Sequence, residues 1–207
     1  MIWQLVNITP VRLAVFVGRP GIDDRLIKIT EIPAGVTAKV DRDLHGNPLN
    51  AGNYIHVYYL IPASETSQKM GEHILSPADT VLMLGAAGFN ELGEVNLYNP
   101  YNPIPSVDVF NNTPFQVELF YQGKPVGMLS PAVGHTRSLS FGSVAGPSPG
   151  GAWMLHFSNY GNGLAPGDIL GFRYLLNGKR IGSTMNVQIT STYTRQINIG
   201  TIAPTLQ

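Results

Sequence analysis

The side chains able to do acid–base or metal chemistry are thinly spread along this chain. Five histidines occur, at His45, His56, His73, His135 and His156, and none stands at the spacing of a helical zinc motif. Asp41-Arg42-Asp43 and Glu72-His73 read as solvated loop residues. Asp23-Asp24 is expected in a loop and could touch a cation, but it lacks the periodic oxygen ligands of a calcium loop. Gly146-Pro147-Ser148-Pro149-Gly150-Gly151 is glycine-rich, yet it has no Lys-Ser/Thr ending, and its prolines remove amide donors that a phosphate cradle needs. Ser138 and Ser140 fall on an expected strand, without the sharp elbow of a nucleophilic serine. No catalytic constellation emerges, so the expectation is a non-enzyme with no metal site and no cofactor.

Binding chemistry has better candidates. Trp153, His156, Asn159, Tyr160 and Asn162 cluster within residues 141–163, and Tyr98 and Tyr101 sit in a proline-rich stretch. Aromatic rings beside amides can stack on neutral sugars or anchor a protein interface. Against this, Trp153, Leu155 and Phe157 alternate, as one buried face of an extra strand would. Asn7-Ile8-Thr9 and Asn111-Asn112-Thr113 match the glycosylation triplet, but each precedes a proline and the two recur at equivalent places. A turn motif accounts for both.

That recurrence organises the chain. Asn7-Ile8-Thr9-Pro10 opens an alternating run through Val11, Leu13, Val15 and Val17, and Asn111-Asn112-Thr113-Pro114 opens another through Phe115, Val117, Leu119 and Tyr121. Ala34-Gly35-Val36-Thr37 is echoed by Val133-Gly134-His135-Thr136, Tyr59-Leu60 by Tyr174-Leu175, and Met70-Gly71 by Ile181-Gly182. Leu82-Met83-Leu84-Gly85 is answered by Ile197-Asn198-Ile199-Gly200. An apolar period of two predicts half-buried strands. Strands are expected near residues 26–32, 36–40, 70–75 and 80–84, with counterparts at 126–129, 136–141, 180–187 and 193–199. Short lead-in strands are expected around Leu5 and Val109, and helix is confined to one turn at Pro77-Ala78-Asp79. The fold class is therefore all-β: two tandem antiparallel β-sandwich domains, Ig-like or small jelly-roll-like, from an internal duplication. The domains are expected at 1–85 and 107–207, joined by a Pro/Asn/Tyr-rich linker at 86–106, with an inserted loop at 141–163 in the second.

Composition narrows the function classes. The 207 residues carry 13 basic and 13 acidic side chains, and no basic run offers a footprint for nucleic acid or an anionic membrane. Cysteine is absent, which excludes disulfides. A charged fraction of 13% and zero net charge give little colloidal repulsion, favouring life in an assembly. The start Met1-Ile2-Trp3-Gln4 lacks the character of a signal peptide, so cytoplasmic synthesis is expected. The expectation is a structural component of a large assembly, such as a minor capsid or other virion protein, whose partners are subunits of that assembly or further copies of itself. A cytosolic lectin-like module that binds carbohydrate is the alternative.

Overall fold

The computed structural model describes residues 1–61, 67–90, 106–131, 152–156, 169–188 and 194–204. Those residues are all-β, arranged in several sheets, with no helix among them. The Pro77-Ala78-Asp79 stretch, expected to form a helical turn, is a bend in which the Ser76 Oγ accepts from the Ala78 amide. Two compact units divide the chain, one comprising Met1–Ala86 with Gly200–Gln207 and the other Ala87–Ile199.

The first unit begins with β1 (Trp3–Asn7), β2 (Leu13–Arg19), β3 (Ile22–Ile32) and β4 (Thr37–Val40), continues with β5 (Tyr54–Leu60) and β6 (Ser67–Ile74), and contains the start of β7 (Val81–Asn90). Its four-stranded sheet has the order β3-β2-β5-β6, and its other layer runs β4-β1-β7, with β1 and β7 parallel. Alternation explains both layers. Leu13, Val15 and Val17 of β2 and Ile55, Val57 and Tyr59 of β5 are buried, while Phe16, Tyr54, His56 and Tyr58 between and beside them are half-buried. Trp3, Leu5, Leu82 and Leu84 supply the opposing apolar surface. Fully burying a side chain of this size stabilises the fold by about 1.5–3 kcal/mol.

The second unit contains β8 (Ser106–Asn111), β9 (Gln116–Tyr121), β10 (Lys124–Leu129), β11 (Ala152–His156), β12 (Ile169–Leu176), β13 (Lys179–Gln188) and most of β14 (Thr194–Pro204). The orders β10-β9-β12-β13 and β11-β8-β14 repeat those of the first unit. The registers repeat as well. Leu13 stands opposite Tyr59, and Val117 opposite Tyr174. Leu5 stands opposite Leu82, and Val109 opposite Ile197, again in parallel pairs. Hairpin turns close β9–β10 at Gln122-Gly123 and β12–β13 at Asn177-Gly178, with positive φ at all four residues. That is the paired conformation matching the right-handed twist of the flanking strands.

Several expectations need correcting. Thr37 pairs with Val6, and the residue pairing with Phe110 in the corresponding place is Ala152. β11, from within the expected inserted loop, thus takes in the second unit the position that β4 takes in the first. The same numbering interval separates Thr37 from Ala152, Tyr59 from Tyr174 and Leu84 from Ile199. The extra length therefore falls between β10 and β11, at residues 130–151, of which 132–151 lie outside the described residues, the strand expected at 136–141 among them. The echo of Met70-Gly71 in Ile181-Gly182 also fails by register. Ile181 stands opposite Tyr174, the place that Gln68 takes opposite Tyr59, because the two strand pairs bulge differently.

Residues 86–90, expected in the linker, continue β7, and 91–105 lie outside the described residues. At the other end, residues 200–207 belong with the first unit, although the sequence assigned them to the second domain. Packing accounts for it: Ile202 Cδ1 lies 3.6 Å from where a Cβ on Gly71 would be, so the end of β14 covers the gap left by that glycine in β6.

Candidate functional site

Of the aromatic and polar residues singled out by sequence, the structure places two. Trp153 stands opposite Val109 and His156 opposite Ser106, both on β11. Asn159, Tyr160, Asn162, Tyr98 and Tyr101 lie outside the described residues, as do Ser138, Ser140 and the glycine-rich segment 146–151. The described residues do not assemble the expected cluster.

They do assemble a polar knot, once in each unit. Asn7 is wholly buried, and its Nδ2 donates to the carbonyl oxygens of Val11 (2.9 Å), Ile32 (2.9 Å) and Pro33 (3.0 Å). Its Oδ1 accepts from the Thr9 amide at 2.9 Å and the Thr9 hydroxyl at 2.7 Å. Asn111 repeats this: Nδ2 donates to Phe115 and Ser130, both at 2.8 Å, while Oδ1 accepts from the Thr113 amide at 2.9 Å and hydroxyl at 2.7 Å. Asn and Thr are the side chains that can mimic backbone in a turn, and here they satisfy groups on two strands at once. Burial of both amides inside these networks gives the triplets a structural role and removes them as glycan acceptors. The knot is closed from behind by Ile8 donating to Leu84 and Asn112 to Ile199. Gly85 follows at φ 128°, and a Cβ there would meet Thr9 Cγ2 at 2.4 Å, so the chain needs glycine at this point.

A second polar centre belongs to the first unit. Asp43, read from sequence as a solvated loop residue, is buried and accepts from Arg19 at 2.7 Å. It also accepts from the Asn47 side chain and from the amides of His45 and Asn47. Burial by itself would raise its pKa, but the hydrogen bonds from Asn47, Arg19 and His45 outweigh it and hold the carboxyl down at about 2. The missed signal was Arg19, which ends a strand distant in sequence. Asp43 spends its oxygens on the 43–47 turn and on tying that turn to Arg19 of β2, which gives it a structural role. Asp23-Asp24, expected in a loop, is on β3.

The outward faces of the two four-stranded sheets are the surfaces best able to meet a partner. On the first, Phe16 and Tyr58 contact edge to face at 5.5 Å, with His56 beside Phe16 across the strand pair. Leu26 and Ile74 extend this face, 39% and 51% exposed. Arg12–Glu31, Lys28–Glu31 and Lys69–Glu72 ion pairs rim it. Bonding to Lys69 keeps the Glu72 carboxyl below its ordinary pKa, and bonding to Lys28 does the same for Glu31. On the second face, Phe120 takes the register of Phe16 and lies under Arg173, whose guanidinium is 4.7 Å from the ring centroid. Arg173 also pairs with Glu118 at 3.3 Å and donates to Thr184. Met128 and Ile169 are each 38% exposed there.

No group of three or more His, Asp or Glu able to hold a metal ion occurs among the described residues. No helix among them is long and apolar enough to cross a membrane. In comparisons with known proteins, no family model, no curated protein and no solved structure matches the chain.

Proposed function

We propose that the chain is a pair of tandem β-sandwich domains from an internal duplication, serving as a non-enzymatic structural component of a large assembly such as a minor capsid or other virion protein. The duplication is supported by the twofold occurrence of the Asn-x-Thr-Pro knot and by registers that recur between β2–β5 and β9–β12 and between β1–β7 and β8–β14. Chance convergence on shared turn chemistry would not also reproduce which residues stand opposite one another.

The assembly reading is carried by the outward sheet faces. Each presents large exposed hydrophobic residues beside an aromatic ring at matching register, rimmed by charges already neutralised in pairs. Apolar surface of this kind is stabilised by being covered, and paired rim charges cost little to bring near a neutral neighbour. Partners would be further copies or other subunits of the same assembly. The test is the native mass of the protein in cell extracts and after purification. Species larger than one chain are expected, and they should weaken when Ile74→Lys and Ile169→Lys are combined. A strict monomer in both settings would sink the reading. Binding on a glycan array that disappears in Trp153→Ala and Tyr160→Ala would replace it with carbohydrate recognition.

A further inference from the structure

We propose that the first unit contains an acid-operated release, built from His56 and His73 on the neighbouring strands β5 and β6, which loosens β6 in mild acid and leaves the second unit intact. The two imidazoles sit in adjacent cross-strand rows, His56 opposite Glu72 and His73 opposite Ile55. β6 is the outermost strand of its sheet order, so its β-ladder bonds hold it to β5 alone.

Both rings have a buried nitrogen with no hydrogen-bond partner, Nδ1 of His56 and Nε2 of His73. A neutral imidazole tolerates this, since one nitrogen is an acceptor that can remain idle at modest cost. A protonated imidazole has two N–H donors and a charge, and burying either without a partner is expensive.

The surroundings decide the sign. Around His56, Gly18 of β2 leaves room for the ring, with Nε2 3.1 Å from where a Gly18 Cβ would be. Lys28 of β3 and Glu72 of β6 occupy the same cross-strand row, Glu31 is paired to Lys28, and Tyr54 and Tyr58 flank the ring along β5. Glu72 Oε2 is 3.5 Å from Nδ1 and favours the proton, but Glu72 is already held by Lys69 at 2.8 Å, and Lys69 repels a second cation. Burial and then Lys69 lower the pKa of His56 despite Glu72. Burial likewise lowers that of His73, with Asp79 opposing. Both histidines therefore take up protons more readily when β5 and β6 are apart than when they are paired. Stability is fully present above the ordinary histidine pKa and declines as pH falls through it towards the lower folded values.

The second unit lacks the device at the same register. Gly171 stands opposite Asn186 where His56 stands opposite Glu72, and Val187 stands opposite Leu170 where His73 stands opposite Ile55. The contrast supplies an internal control within one chain.

The experiment is hydrogen exchange on the full chain at about pH 7.5 and about pH 5, corrected for intrinsic exchange, together with NMR titration of the histidine rings. Protection of β5 and β6 amides should fall by about tenfold for each unit by which a ring's pKa is depressed, while β12 and β13 hold theirs. His73→Val, which installs the residue of the second unit, combined with His56→Gln, should abolish the difference between the units. Equal loss in both units, or none in either, overturns the proposal. So does a ring titration at or above the ordinary histidine value for both residues, a readout that needs no variant.

Discussion

The two units share a framework and differ in what fills it. Tyr59 and Tyr174 occupy the same register and are both fully buried. Around Tyr174, Phe115 stacks at 4.9 Å and Phe172 lies tilted at 5.8 Å. At the corresponding places around Tyr59 stand Val11 and Val57. Outside the sheets the contrast runs the other way, with an aromatic pair on the first unit and an arginine over a ring on the second. What survives is the Asn-Thr knot and the register of the central strand pairs, β2 with β5 and β9 with β12. Hydrogen bonds to backbone carbonyls are tied to main-chain geometry, which is common to both units. Side-chain packing admits many solutions of similar volume, provided the burial pattern is kept.

The comparison can be strained most by opening the core. Leu119→Ala in the second unit and Leu13→Ala in the first each remove a buried side chain and should cost about 2–5 kcal/mol, read by urea unfolding with exchange protection resolved by unit. Loss of protection confined to the mutated unit would show that the two unfold separately. Uniform loss would show one cooperative body.

The knots come next. Asn7→Ala and Asn111→Ala each strand a carbonyl and a buried threonine amide, at about 1–3 kcal/mol. The two costs should agree closely. A large difference in thermal denaturation would break the equivalence drawn from the networks.

Asp43 sharpens an asymmetry. Its folded pKa is depressed, so its contribution is complete above the unfolded value near 3.8 and is lost as pH falls through about 2. Asp43→Asn should lower first-unit stability by about 1–2 kcal/mol at neutral pH and flatten its acid dependence over that window. Unchanged acid dependence would assign the turn's stability elsewhere. The smallest effect concerns the matched turns. Gln122 holds φ 47° where Asn177 holds φ 51°, and asparagine bears this conformation better. Gln122→Asn should stabilise by about 0.5 kcal/mol and Asn177→Gln should destabilise similarly, measured as opposite shifts in unfolding midpoint.

From its sequence alone the chain determined that it is all-β and, for the strands that follow the two Asn-x-Thr-Pro turns, which side turns inward. Phe115, Val117 and Leu119 alternate with Gln116 and Glu118, Val11, Leu13 and Val15 recur at the same spacing, and a period of two admits one inward face. The Asn-x-Thr-Pro turns were legible too, because their chemistry acts within a few residues of itself. Only the tertiary structure decided that Ala152–His156, across a long intervening stretch, fills the place of Thr37–Val40. Local pattern carries no information on which of several short apolar runs wins an edge, since that depends on pairing across space. The same reason hid the burial of Asp43, whose partner Arg19 ends another strand, and the return of Gly200–Pro204 to the first unit, where Ile202 covers Gly71. Burial and ion pairing between residues far apart in sequence are properties of the folded chain, and no window of the sequence contains both halves of either.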